Sequence, residues 1–142
     1  MFFGDGIRLA TWHRDRLGCF ETFEEVLRGE EEFFPITRPA PHCISCAMNG
    51  NGSPVKVYAN VTASPHGPLT VEALDEQFRL LAGFSGDDCV PLVDDGLRQP
   101  VVWRDGDALP GDGGPFRLRV NYGGGMRPED ARLYALYVTE EG

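Results

Sequence analysis

Long apolar runs are missing from this chain. No stretch approaches the roughly 20 apolar residues that a membrane-spanning helix requires. The opening residues, Met1-Phe2-Phe3-Gly4-Asp5, lack the basic and then apolar regions of a secretory signal, so a soluble, cytoplasmic protein is expected. Lysine is nearly absent: Lys56 is the only one among 13 basic residues, and the rest are arginines. Positive charge is outnumbered by 22 acidic residues, for a formal net charge of −9. That balance argues against broad contact with nucleic acid or an anionic membrane. Neither a GxGxxG nor a P-loop pattern occurs, which excludes the common nucleotide cradles. Asp87, Asp88, Asp94 and Asp95 do not follow the spacing of a calcium-binding EF-hand loop. No second CxxC accompanies Cys43-Ile44-Ser45-Cys46.

What is present describes a globular chain. With 142 residues and 42% hydrophobic content, one domain spanning 1–142 is expected. A chain of this length can bury roughly 68–70% of its unfolded surface, enough to fold without staples. Two segments carry helix signals. Thr22 to Phe34 opens on a Thr22/Glu25 capping box, spaces Phe23, Val26, Leu27 and Phe34 on one face, and stops at Pro35. Its acidic face, Glu24, Glu25 and Glu30 to Glu32, is a candidate surface for a partner, although such runs are commonly just solvated. The second begins at Thr70, with Val71, Leu74, Phe78, Leu81 and Ala82 as its stripe and Gly83 as its C-terminal cap.

Strand signals are clearer. Val55–Thr62 and Phe116–Tyr122 alternate with period two. Ile7–Trp12 and Val101–Trp103 are shorter. Leu133–Thr139 is apolar on both faces, as a central strand would be. Asp105-Gly106 marks a hairpin between apolar flanks. The fold class read from these elements is α+β: a mainly antiparallel sheet, two packed helices and a Pro/Gly/Cys-rich insert over 35–54.

That insert carries the sharpest chemical motif. Cys43 and Cys46 have the spacing of half a tetrahedral zinc site, and His42, Cys19 and Cys89 are the residues that could complete it. A metal would also hold an ordered loop of low apolar content. The other, favoured reading is that the cysteines stay free, since thiols without a secretory context seldom pair.

The stretch Gly106-Asp107-Ala108-Leu109-Pro110, followed by Gly113-Gly114-Pro115-Phe116-Arg117-Leu118-Arg119-Val120, resembles the end of the oxidoreductase molybdopterin-binding domain, the sulfite-oxidase-like family. Pro68-Leu69-Thr70-Val71-Glu72-Ala73-Leu74 resembles a helix start of that family. The resemblance implies an anionic ligand, a pterin or another phosphate-bearing group, near the glycine loop. Gly123, Gly124, Gly125, Arg127 and Arg119, with His66, are the matching candidates, since glycine amides and arginine forks suit phosphate. The departures are Cys89, whose Asp88-Cys89-Val90-Pro91 context does not match the family's metal-ligating cysteine, and the shortage of basic residues after the glycine loop.

Two functions of different class follow. One is a small acidic domain that binds an anionic cofactor or ligand on a molybdopterin-binding-like fold. The other is a zinc-stabilised interaction module with an acidic partner-facing helix. No nucleophile is set beside a base in a recognised pattern, so catalysis by this chain alone is not expected.

Overall fold

The computed structural model describes residues 13–22, 41–123 and 128–141. They form strands β1 (Phe20–Glu21), β2 (His42–Ile44), β3 (Val55–Thr62), β4 (Leu69–Asp75), β5 (Gly96–Pro100), β6 (Ala108–Leu109), β7 (Phe116–Tyr122) and β8 (Arg132–Glu140). Single 3-10 turns cover Gly86–Asp88 and Pro128–Asp130. Among the described residues there is no helix of 7 or more residues, and the architecture is nearly all antiparallel β. The α+β expectation is therefore corrected. The expected strand Ile7–Trp12, and the expected helix Thr22–Phe34 beyond Thr22, lie outside the described residues. No helix among the described residues is long and apolar enough to cross a membrane.

The correction is clearest at Thr70. The sequence that reads as a capped helix is β4 and a tight return. Leu69, Val71 and Ala73 alternate into the core, and all seven residues of β4 pair with β7, from Leu69↔Tyr122 to Asp75↔Phe116. The Asp75/Arg79 pair, spaced like a helical i,i+4 salt bridge, closes a hairpin instead. Asp75 Oδ1 accepts the Arg79 N–H at 2.9 Å, and Oδ2 accepts the Arg79 Nε–H at 2.8 Å. Phe78 takes φ 64° in that turn, a left-handed conformation that a continuing helix would not allow. Local helix propensity is a weak prior, and seven ladder pairs with buried side chains override it.

Two sheets face one another. One runs β1-β8-β3-β5, with β6 also on β3, and the other runs β2-β7-β4. Their inner faces bury Val55, Val57, Ala59 and Val61 of β3 against Val71 and Ala73 of β4 and Leu118 and Val120 of β7. Period-two alternation in β3 and β7 produces this, as the sequence indicates.

One edge of the sandwich is stitched by isolated pairs. Leu69 pairs with Leu92, and Cys89 with Trp103, while the Val101 N–H donates to Val57 O at 2.9 Å. On the other edge the Tyr122 hydroxyl donates to Phe20 O at 2.8 Å. These contacts join the two sheets. Where an Asp-Gly hairpin is expected there is a tight turn only, because the flanking strands β5 and β6 pair with β3 and not with each other. Trp103 and Gly106 exchange hydrogen bonds at 2.8 and 3.2 Å, so Arg104 and Asp105 are the central residues and Gly106 closes the turn.

Candidate functional site

The outer face of β3 is where chemistry gathers. Lys56, Tyr58, Asn60 and Thr62 point away from the core, as alternation requires. Asn60 is nevertheless 0% exposed. The chain at Arg14 to Arg16 crosses over it. Asn60 Oδ1 accepts the Arg16 Nε–H at 2.9 Å, and its amide donates to Arg14 O at 3.0 Å and to the Tyr137 hydroxyl at 3.4 Å. Every polar atom of this buried amide has a partner, which is the condition for keeping it inside.

Both neighbours of β3 are irregular opposite this residue. Against β8, Asn60 pairs with Ala135 and Val61 with Leu133, which leaves Tyr134 as an extra residue. Against β5, Ala59 pairs with Gln99 and Val61 with Gly96, which leaves one more residue on β5 than on β3. Two bulges therefore flank Asn60. A bulge twists its strand and re-aims side chains, and here Tyr134, Leu97 and Arg98 surround the Arg14–Arg16 crossing.

Arg16 is the hub. Its side chain is only 13% exposed. It donates to Val61 O at 3.0 Å and to Asp95 Oδ1 at 2.7 Å, and its guanidinium lies 4.5 Å over the Tyr134 ring. Donation from Arg16 holds the Asp95 carboxyl below its ordinary value. Tyr137 donates to Asp15 Oδ2 at 2.5 Å. Asp15 has φ 56° within a turn closed by Arg16 N–H to His13 O at 3.1 Å. A left-handed aspartate is uncommon and is often kept where geometry serves a site.

Arg98 completes the group. Its guanidinium lies 4.4 Å over the Tyr58 ring and 5.8 Å from the Tyr137 centroid. It has no carboxylate partner among the described residues, whereas Arg16 has Asp95 and Arg14 has Asp15. Two cavities open here on either side of Leu97. One, about 220 Å³, is lined by His13, Arg16, Asp95, Gly96 and Leu97. The other, about 180 Å³, is lined by Arg14, Leu97, Arg98 and Tyr137. The second offers an aromatic wall, an aliphatic wall and two guanidinium groups.

The described residues among those singled out in the sequence are engaged elsewhere or exposed. Gly123 directly follows β7, its N–H donates to Pro68 O at 2.9 Å, and so that amide is already used. Gly124, Gly125 and Arg127 lie outside the described residues. Arg119 is committed to Glu72, by Nε at 2.7 Å and Nη2 at 2.5 Å. His66 is exposed in the Ser64–Gly67 turn. A side chain on Gly67 would strike Asp130 O at 2.5 Å, so that turn is built for close backbone approach rather than to aim the histidine.

The cysteines separate as well. Cys43 is on β2 and packs against the core, while His42 beside it alternates to the other face. Cys89 lies beyond β4, across β7 and β4 from β2, roughly 14 Å away at three strand spacings. Its thiol is buried and donates to Val71 O at 3.1 Å. Burial first, then the Glu72 and Asp88 charges, push it up to about 11. Cys19 and Cys46 are exposed. Among the described residues, no three His, Cys, Asp or Glu side chains are grouped to hold a metal ion.

Thiol reactivity provides a prediction, because the thiolate is the nucleophile. With a small maleimide at pH 8, Cys19 and Cys46 should label first. Cys43, raised by burial, should be slower, and Cys89 should label only on unfolding. Peptide mass mapping over time checks this; early modification of Cys89 would contradict the packing described for it.

The sequence misses Arg14, Arg16, Asn60, Arg98 and Tyr137 as a group, since His13 to Arg16 reads as a solvated turn. The one local signal was Asn60, an amide amid an otherwise strand-favouring run. No family model, curated protein or solved structure matches the chain.

Proposed function

We propose that this chain is a non-catalytic binding domain that takes a small planar anion between Arg14 and Arg98, with its flat part against Tyr137 and Leu97. The observation that carries the reading is Arg98. Its guanidinium is stacked on Tyr58 and faces no carboxylate among the described residues, although the chain as a whole carries −9. An arginine held by stacking loses little further freedom when it binds, and its fork suits a carboxylate or phosphate. The neighbouring cavity of about 180 Å³ has room for one ring, on the scale of apolar cavities of about 150 Å³ that hold benzene. The anionic ligand suggested by the glycine loop thus has a better-formed candidate site on the outer face of β3.

The test is calorimetric titration of the full chain with benzoate, and with inorganic phosphate to separate ring from charge. Benzoate should bind and uncharged benzamide should bind far more weakly. Arg98→Ala should weaken benzoate about tenfold or more, which is roughly 1.4 kcal/mol. Added salt should weaken it too, because the charges are exposed. Equal binding of benzoate by wild type and Arg98→Ala would refute the site.

A further inference from the structure

We infer that a second site, independent of the arginine–tyrosine face, takes a small uncharged aromatic ring in the cavity between residues 81–84 and the turn 110–115. This cavity, about 170 Å³, sits at the end of the sandwich where β6 stops and β7 begins. Its walls include Leu81 and Phe84 on one side and Leu109 and Phe116 on the other, with Gly113 and Gly114 in the lining. Among the described residues, no charged side chain lines it. An ionised ligand would therefore lose hydration there without a counter-charge, whereas an uncharged ring loses little.

The aromatic walls are fixed before any ligand arrives. Phe84 stands edge-on to Trp103, with centroids 5.4 Å apart and planes at 79°, and its backbone O accepts the Ala73 N–H at 2.9 Å. Phe116 is buried and exchanges two hydrogen bonds of 2.8 Å with Met48. Leu109 is buried at its pairing with Val55. Preformed phenylalanine walls favour an aromatic guest through edge-to-face contact, and preformed walls spare the entropy of ordering a site. The volume again matches a single ring. Gly113 and Gly114 contribute no side chain, so a ring can approach the backbone of the turn.

The experiment is a two-dimensional amide NMR titration of the full chain with toluene, using benzoate as the charged comparator. Toluene should produce saturable shifts at Leu81, Phe84, Gly113 and Gly114 and leave Arg98 unmoved. Benzoate should leave those four amides unmoved, whatever it does at Arg98. Gly113→Leu should weaken toluene at least tenfold by filling the cavity. A side chain at Gly113 first meets Pro110 O at 3.7 Å, an ordinary contact. Ala82→Leu fills the cavity from residues 81–84 and serves if the first variant does not fold. Toluene shifts that fail to saturate up to its solubility, or that persist undiminished in a folded filled variant, would overturn the inference.

Discussion

Trp103→Ala should destabilise the protein by about 3–5 kcal/mol, the range for removing a large aromatic from a core. Trp103 is 1% exposed and joins three parts of the fold. Its indole N–H donates to Val71 O at 2.9 Å, its ring meets Phe84 edge-on, and its backbone pairs with Cys89 and Gly106. Removing it opens a cavity where the two sheets are stitched together and leaves Val71 O with the Cys89 thiol as its side-chain donor. At roughly 2–4 °C per kcal/mol for a chain near this size, the melting temperature should fall by about 6–20 °C. Trp103→Phe keeps most of the volume and loses the donor, so it should cost about 1–2 kcal/mol. Thermal unfolding followed by circular dichroism measures both. An alanine variant melting within about 3 °C of wild type would mean that the sheets do not depend on this residue.

Arg119→Ala should cost about 3 kcal/mol at pH 7, toward the lower end of the range for orphaning a buried charge. Glu72 is buried on the outer face of the β2-β7-β4 sheet. Burial pushes its carboxyl up, but donors from Asn121, the Gly86 N–H and Arg119 outweigh that and hold it below the ordinary value. A carboxyl lowered in the folded state stabilises the fold above its unfolded value of about 4.3, and that contribution is lost as pH falls through the lower folded value. Without Arg119 the carboxyl should rise. Its charged form then becomes the liability, so the deficit relative to wild type should be largest at neutral pH and shrink towards pH 4. Glu72→Gln combined with Arg119→Ala should recover part of the loss. Urea unfolding at pH 7 and pH 4 supplies the comparison; a deficit that grows on acidification would contradict the sign.

Alternation was legible wherever a strand has one buried face. β3 and β7 have the bounds that period two suggests, and β8 lies between β1 and β3 as its apolar character implies. β4 was hidden because Val71, Leu74 and Phe78 also satisfy a helical period, and the Asp75/Arg79 pair serves both conformations. Only the ladder with β7, which joins residues 47 apart at Glu72 and Arg119, settles the choice. The candidate site was hidden for the same reason. Arg16 reaches Asn60 across 44 positions and Asp95 across 79, and no local pattern encodes such a meeting. The bulges opposite Asn60 exist only once three strands are in register. The cysteine motif differs: its spacing was legible, but strand pairing places Cys89 apart from Cys43, a separation that spacing alone does not encode.

The proposed anion site depends on Arg98 being a guanidinium held ready for an anion. NMR observation of arginine Nε–H signals during benzoate titration tests this most directly. The Arg98 and Arg14 signals should shift together and saturate, while Arg16 and Arg119, already engaged with Asp95 and Glu72, stay in place. Uniform small shifts of all arginines, without saturation, would contradict it.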